Sequence, residues 1–279
     1  MSEAVLPVQY WRPSAALSPF VTGYHLYHAA LPPGLTLQDV FLPGVASIQV
    51  TLHETPAWSL RMGARTFDPM PGAAFVGPTS CAGHLSAQGG TMVGVGLKPL
   101  GWAQLFGGNV SRYSNRVAAL SQLDSGAAQL HDALEHSDRP DVVFERWLEA
   151  RLHRRPPVDP RIGKLFAILE EGRETRIDVI ADMLDTSPRS LATMTRQSFG
   201  FTPKLMLRRT RFVRALTAML IDPDRGPAAL KASGYYDRSH FLRDSHLFLG
   251  CSVRDFARRR GPLNQIALRV RQKVLGPLV

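Results

Sequence analysis

The sequence has only two cysteines, Cys81 and Cys251, among its 279 residues. So few cysteines exclude the disulfide framework that holds small secreted domains together. The chain also lacks an apolar run approaching the roughly 18 residues of a membrane span, and its first residues lack the basic and apolar segments of a secretory signal. We therefore expect a soluble, cytoplasmic protein that has no membrane partner.

Acidic residues are scarce in the second half of the chain. Residues 1–150 contain 8 Lys and Arg against 11 Asp and Glu, whereas residues 151–279 contain 25 against 12. The second half therefore has a net charge of +13, which is typical of a domain that binds a polyanion. Nucleic acid is the first candidate, and an anionic membrane surface is the alternative.

The first 115 residues are divided into short segments by Gly and Pro turns. Four of these segments have the composition of strands: Ser47–His53, Trp58–Met62, Ala73–Gly77 and Met92–Leu97. Short strands at this spacing are typical of a small β-barrel or sandwich. Helical apolar spacing follows over residues 117–136 and 141–155. We predict a β-rich sensor or dimerisation domain with a helical pair at its end over residues 1–153, then a linker over 154–160.

Four histidines are the obvious candidate metal ligands for a barrel in this first half. They are His25, His28, His53 and His84, and no two of them have the spacing of a metalloenzyme motif. We interpret them as ordinary core or surface residues, and we predict no catalytic residue, no metal and no cofactor. A barrel with an apolar lining is a candidate pocket for a small-molecule effector, but the sequence assigns no residue to such a pocket.

The second half contains a similar helical unit twice, fifty residues apart. In the first unit Ser187 is the predicted N-cap, Pro188 the first helical residue and Gly200 the stop. In the second unit Asp237 is the N-cap and Gly250 the stop. Each unit has the pattern of a helix-turn-helix, and a longer helix that begins after Thr202 joins them.

This arrangement has a direct physical use. A rigid helix can hold two recognition helices about one DNA turn apart, so that both enter successive major grooves on one face. We therefore predict a double helix-turn-helix domain over residues 161–260, followed by a basic amphipathic tail over residues 261–279. For the tail, packing on the domain, contact with phosphates, and contact with a membrane or partner are alternatives.

Six sequence elements of the second half occur in a specific order. They are Ala181, Ser187–Leu191, Gly200–Pro203, Arg208–Ala215, Gly234–Phe241 and Gly250–Phe256. Together they resemble the DNA-binding domain of the AraC/XylS family of transcription regulators. The resemblance implies an α+β protein with a β-rich, cupin-like N-terminal domain and an all-α C-terminal domain of two helix-turn-helix units joined by a linker helix. It further implies a sequence-specific, non-enzymatic regulator, usually an activator that contacts RNA polymerase, and we expect a homodimer.

The resemblance assigns base contacts to individual residues. They are Arg189, Ala192 and Thr193 in the first unit, and Arg238, Ser239, His240 and Arg243 in the second. We expect contacts with the DNA backbone from Ser187, Arg196, Lys204, Arg208, Arg211, Asp237 and His246. Because Ala192 offers only a methyl contact, the second unit is expected to contribute more of the specificity.

Two positions depart from the family pattern beneath the recognition helices. The family has aromatic residues where this chain has Thr195 and Ser245. Their loss is expected to loosen the packing, unless the space is filled by neighbours such as Met194, Phe199, Leu247 and Phe248.

Two other functions are consistent with the sequence. One is a cupin-like metalloenzyme with a basic helical appendage. The other is a nonspecific DNA-binding or partner-binding module whose recognition helices have degenerated.

Overall fold

The computed structural model describes residues 6–53, 58–222, 224 and 226–276. Within these residues the first half forms two antiparallel sheets, with strand orders β1-β2-β9-β4-β7-β10 and β3-β8-β5-β6. The strands are β1 (Val8–Trp11), β2 (Val21–Ala29), β3 (Leu37–Phe41), β4 (Ala46–Leu52), β5 (Ser59–Met62), β6 (Arg65–Phe67), β7 (Ala73–Val76), β8 (Gly83–Ala87), β9 (Gly90–Leu97) and β10 (Val117–Ala119). The four predicted strands correspond to β4, β5, β7 and β9.

Strand β4 shows how the sequence places the core. Ala46, Ile48, Val50 and Leu52 are buried, and the residues between them are partly exposed, as the two-residue period of a strand requires. Three helices cover this sheet: α1 (Pro99–Leu105), α2 (Ala127–Glu135) and α3 (Pro140–Leu152). Phe75, Trp102 and Phe144 belong to the apolar cluster formed between the sheet and these helices.

The predicted helix over residues 117–136 is only partly correct. Residues 117–119 form β10, which pairs with β7 so that Val117 lies opposite Val76. A short 3-10 turn follows, and α2 begins only at Ala127. Sheet pairing therefore overrides the helical apolar spacing at the start of this segment. The predicted helix over 141–155 corresponds to α3, in which Phe144, Trp147 and Leu148 are buried and Ala150 is exposed.

The described part of the second half is helical. Its helices are α4 (Arg161–Glu171), α5 (Ile177–Met183), α6 (Pro188–Phe199), α7 (Pro203–Ile221), α8 (Gly226–Ala232), α9 (Arg238–Leu249), α10 (Val253–Arg259) and α11 (Pro262–Leu275). The fold class predicted from the sequence is confirmed, including the two helix-turn-helix units and the long helix α7 between them. The exact domain boundaries stay predictions.

The predicted helix ends coincide with local hydrogen bonds. Ser187 accepts a bond from the backbone N–H of Ser190, and Asp237 accepts one from that of His240. Gly200 and Gly250 both adopt the left-handed conformation that ends a helix. At Gly200 a side chain would also collide with Ser114 and Pro78 of the first half, so this position needs glycine for two reasons.

Small polar residues replace the expected aromatic rings, and both are buried and hydrogen-bonded. Thr195 is buried, and its hydroxyl donates to the carbonyl oxygens of Leu191 and Ala192. Ser245 is also buried and donates to the carbonyl of Cys251 at 2.7 Å. A cavity of about 10 Å³ lies beside Thr195, and Phe199 and Phe248 are buried nearby in the sequence. Leu247 cannot fill the space, since it is 46% exposed.

Restoring an aromatic ring at position 195 is therefore expected to destabilise the protein. The cavity is too small for a phenyl ring, so Thr195→Phe overpacks the core and lowers the free energy of unfolding by about 1–3 kcal/mol. Urea unfolding followed by circular dichroism measures this. Thr193→Phe on the exposed face of the same helix is the control and should change stability by no more than about 0.5 kcal/mol. A stabilising Thr195→Phe would show that the missing ring leaves the core underpacked.

The two halves are packed against each other through buried polar contacts. The guanidinium group of Arg209 in α7 donates to the carbonyl oxygens of Gly44 (3.1 Å) and Thr79 (3.0 Å). The backbone N–H of Ala82 donates to the carbonyl of Phe248 at the end of α9. The hydroxyl of Ser114 donates to the carbonyl of Gly200 at the end of α6. First-half loops thus contact the C-terminal ends of both recognition helices.

The basic tail lies on the first half of the chain. Helix α11 packs against β1 and β3, and Leu263 and Ala267 belong to an apolar cluster with Tyr27 and Leu85. The predicted alternative of packing on the helical domain is thus replaced by packing on the sheets. Residues 277–279 of the predicted tail lie outside the described residues.

Candidate nucleic-acid interface

One face of helix α6 is exposed, even though the first half of the chain packs against the end of this helix. Arg189, Thr193 and Arg196 are exposed, and Ala192 is partly exposed. The opposite face carries Leu191 and Phe199 into the core. Three of the predicted contact residues are therefore accessible to a ligand as large as a DNA duplex.

Helix α9 presents a similar face. Arg238, Ser239, Arg243 and His246 are exposed, whereas Phe241 and Phe248 pack against Phe212 of α7. In both α6 and α9 the buried face therefore makes aromatic contacts, through Phe199 with Phe166 in the case of α6. The opposite face of each helix exposes arginine. Helix α7 has 19 residues, and at 1.5 Å per residue it spans about 28 Å, which is comparable with one turn of DNA.

A buried carboxylate lies between α7 and α9. Asp244 is 0% exposed, and it accepts hydrogen bonds from Arg208, Arg211 and the hydroxyl of Tyr235. The guanidinium group of Arg211 also lies over the Tyr235 ring, 4.7 Å from its centroid. Burial, and then the bond to Asp244, raise the pKa of Tyr235, so its hydroxyl stays protonated and donates.

This ion cluster changes the interpretation of three predicted DNA contacts. Arg208 and Arg211 bond to Asp244 and are only partly exposed, so their guanidinium groups are already engaged within the protein. His240 accepts a hydrogen bond from Arg211 at 3.0 Å and packs on the edge of Tyr235. Their contacts with DNA stay predictions, and their observed role is to fix α9 on α7.

Ser187 and Asp237 also have a structural role, since their side chains cap α6 and α9. The carboxylate of Asp237 would repel a phosphate group, whereas the Ser187 hydroxyl is compatible with one. Their contacts with the DNA backbone therefore stay predictions as well.

A cleft with several basic side chains lies beside α7. It has a volume of about 650 Å³ and is lined by Lys204, Arg208, Arg211 and His240 on one side and by residues at the start of α5 on the other. Lys204 is exposed. The cleft thus lies between α7, the start of α5 and His240 of α9, and its cations are partly offset by Asp178.

Sequence reasoning missed Tyr236 and the exposed leucines of α9. Tyr236 is 97% exposed immediately before the N-cap of α9, and Leu242 and Leu247 are exposed on the helix. Apolar side chains on a recognition helix can contact the methyl group of thymine. The sequence signal for an exposed aromatic residue was the adjacent pair Tyr235 and Tyr236. Two neighbouring side chains here cannot both point into the core, and the structure buries Tyr235 and exposes Tyr236.

The histidines of the first half are dispersed. His25 is buried in β2, His28 bonds to Thr91, and His53 pairs with Glu135 at 2.8 Å. Among the described residues, no three His, Cys, Asp or Glu side chains are placed to hold a metal ion. The thiols of Cys81 and Cys251 are free, and burial raises the pKa of both.

Two cavities adjoin His25 in the first half. One, of about 150 Å³, lies between the sheets and is lined partly by Leu60, Met62 and Thr79. The other, of about 160 Å³, lies between β2 and the tail helix α11. No helix in the described part of the chain is long and apolar enough to cross a lipid bilayer.

No protein-family model matches the chain, and no curated protein matches it significantly. The chain is similar in structure to ToxT from Vibrio cholerae, with a TM-score of 0.47 and 10% identity over 81% of this chain and 98% of ToxT. For unsaturated fatty acid-bound wild-type ToxT from Vibrio cholerae strain SCE256, the TM-score is 0.45 and the identity 12%, over 92% of this chain and 97% of that one. For the AraC-like transcriptional activator CuxR, the TM-score is 0.24 and the identity 13%, over 75% of this chain and 86% of CuxR. The chain is thus similar in structure to ToxT and, to a lesser extent, to CuxR.

Proposed function

We propose that this chain is a sequence-specific DNA-binding transcription regulator that contacts two successive major grooves through α6 and α9. The observation that carries the proposal is the pair of exposed, arginine-bearing helix faces held on one long helix. Arg189 and Arg196 lie on the first face, and Arg238 and Arg243 on the second. The net charge of the second half supplies the electrostatic attraction that DNA binding requires.

The contacts between the halves suggest how binding is controlled. Thr79 lines the cavity between the sheets, and Ala82 directly precedes Gly83, which also lines it. The carbonyl of Thr79 accepts a hydrogen bond from Arg209 in α7. The N–H of Ala82 donates to Phe248 near the end of α9. Ser114 contacts the end of α6. A small effector or partner that moves these loops would change the relative placement of α6 and α9. RNA polymerase contact, activation and homodimerisation are parts of the proposal that follow from the family resemblance alone.

Arg243→Ala is expected to weaken binding to the preferred sequence by about ten-fold or more, because a lost base contact costs about 1–3 kcal/mol. Preferred sequences are selected from a random duplex library with the wild-type chain, and scrambled duplexes of equal composition give the reference. Mobility shifts at two salt concentrations measure both affinities. Lys204→Ala should weaken both affinities equally and reduce the salt dependence by about one ion.

Arg146→Ala is the matched control, since Arg146 is exposed on α3, far from the recognition helices in sequence. It should leave both affinities unchanged. Equal weakening of both duplexes by Arg243→Ala would show that Arg243 contacts phosphate and not a base. A wild-type chain without preference for any selected sequence would overturn the proposal in favour of a nonspecific module.

A further inference from the structure

The tail helix α11 is fixed on the first half at both of its ends. Asp39 in β3 accepts hydrogen bonds from the backbone N–H groups of Gly261 (2.9 Å) and Asn264 (2.8 Å), so a buried carboxylate satisfies the helix N-terminus. At the other end, Arg12 donates to the carbonyl of Val274 at 2.6 Å. The tail helix is therefore an integral, hydrogen-bonded element of the fold.

The cavity beneath α11 has the size of a single ring. Its volume is about 160 Å³, which matches the roughly 150 Å³ of a cavity that binds benzene. Phe41, Leu268 and Leu275 provide apolar lining. A ligand with one aromatic ring fits this space.

Two polar atoms on the wall, His25 Nε2 and Asn264 Oδ1, lack the hydrogen-bond partners that buried groups normally have. Both atoms are buried, and neither has a hydrogen-bond partner among the described residues. Arg271 donates to the carbonyl of Gly276 at 2.9 Å, and no salt bridge to it occurs in the described part of the chain. All three line the cavity. Burial, and then the charge of Arg271, lower the pKa of His25 to about 4, so its ring is neutral at pH 7.

The spacing of these groups along α11 determines which ends of the ligand they can meet. Asn264 and Arg271 are seven residues apart, which places them on one face of the helix and about 10 Å apart along its axis. Arg271 attracts a carboxylate, and Asn264 Oδ1 accepts from a donor. This separation along the helix favours a ligand whose acid and donor groups are at opposite ends of the ring.

We propose that this cavity binds a monocyclic aromatic acid that carries a hydroxyl group opposite its carboxylate. The carboxylate pairs with Arg271, the ring lies between α11 and β2, and the hydroxyl donates to Asn264. The site itself stands on the cavity alone, but its role as an effector site rests on the proposed function. That role has a physical route, because α11 directly follows α10, which packs on α9.

Isothermal titration of the full chain with 4-hydroxybenzoate tests the proposal. We expect binding, and affinities at least about ten-fold lower for benzoate, which leaves a buried acceptor unpaired, and for phenol, which lacks the charge. Salicylate, with its hydroxyl beside the carboxylate, should also bind about ten-fold more weakly. Arg271→Gln should weaken the binding of 4-hydroxybenzoate at least ten-fold. Arg269→Gln, at an exposed position of the same helix, should leave this binding unchanged.

Asn264→Leu separates recognition from folding. It keeps the backbone N–H that bonds to Asp39, and it should make 4-hydroxybenzoate and benzoate bind equally, a result that general destabilisation does not produce. Absence of 4-hydroxybenzoate binding at millimolar concentration would overturn the inference, as would equal affinities in Arg271→Gln and Arg269→Gln. Mobility shifts on the same preparations keep the two proposals distinct. A chain that binds the acid but no DNA overturns only the proposed function, and one that binds DNA but not the acid overturns only this inference.

Discussion

Asp244→Ala is expected to lower the free energy of unfolding by about 3 kcal/mol. Removing one partner from a buried ion pair leaves the remaining charge uncompensated, which typically costs 3–5 kcal/mol. Here two arginines and the Tyr235 hydroxyl lose their common acceptor. The lower end of the range applies because the side chain of Arg208 is 35% exposed and can turn to water.

Urea unfolding of the full chain, followed by circular dichroism, measures this loss. Asp182→Ala is the matched control, because Asp182 is exposed on α5; its effect should stay within about 0.5 kcal/mol. Asp244→Asn retains the shape of the side chain but not its charge, so it should lose most of the same stability. If Asp244→Asn were as stable as wild type, hydrogen bonding and not charge would hold α9 on α7.

The same variant connects stability with DNA binding. Because Arg211 and His240 are positioned by this cluster, loss of Asp244 should let α9 move relative to α7. Specific affinity should then fall even at temperatures where the chain remains folded. Nonspecific affinity should fall less, since the exposed lysine and arginine side chains are retained.

Local signals explain why the helical units could be predicted from the sequence. A cap bond spans three residues, as from Ser187 to Ser190 and from Asp237 to His240. The left-handed conformation that ends a helix depends on a single glycine, as at Gly200 and Gly250. Such features depend on neighbours along the chain, so the sequence shows them directly.

The contacts that the sequence did not predict join distant residues. Arg209 bonds to Gly44, 165 positions away, and Arg12 bonds to Val274, 262 positions away. Strand β2 was missed because glycine and histidine interrupt its apolar pattern, although Tyr24 and Tyr27 are buried. The placement of the tail, the ion cluster at Asp244 and the cavity beneath α11 all depend on such long-range packing, which no local pattern encodes.

Arg209→Glu is expected to separate the two halves of the chain. Arg209 is 3% exposed and no carboxylate pairs with it among the described residues; burial lowers its pKa to about 10. A glutamate there would place a buried anion against two carbonyl oxygens, which costs about 3–5 kcal/mol. Separation of the halves avoids this cost, since Thr79 and Gly44 belong to one half and Arg209 to the other.

Small-angle X-ray scattering detects the separation, because a compact chain of this length has a radius of gyration of about 19 Å and separated halves exceed it. Proteolysis within residues 154–160 should accelerate in parallel. Arg254→Glu makes the same charge change at an exposed position and should leave both measurements unchanged. Arg209→Met removes the charge without adding an anion; the relieved desolvation offsets the lost hydrogen bonds, so the halves should stay together. Equal scattering from Arg209→Glu and Arg254→Glu would show that other contacts, such as those of Ala82 and Ser114, suffice to hold the halves together.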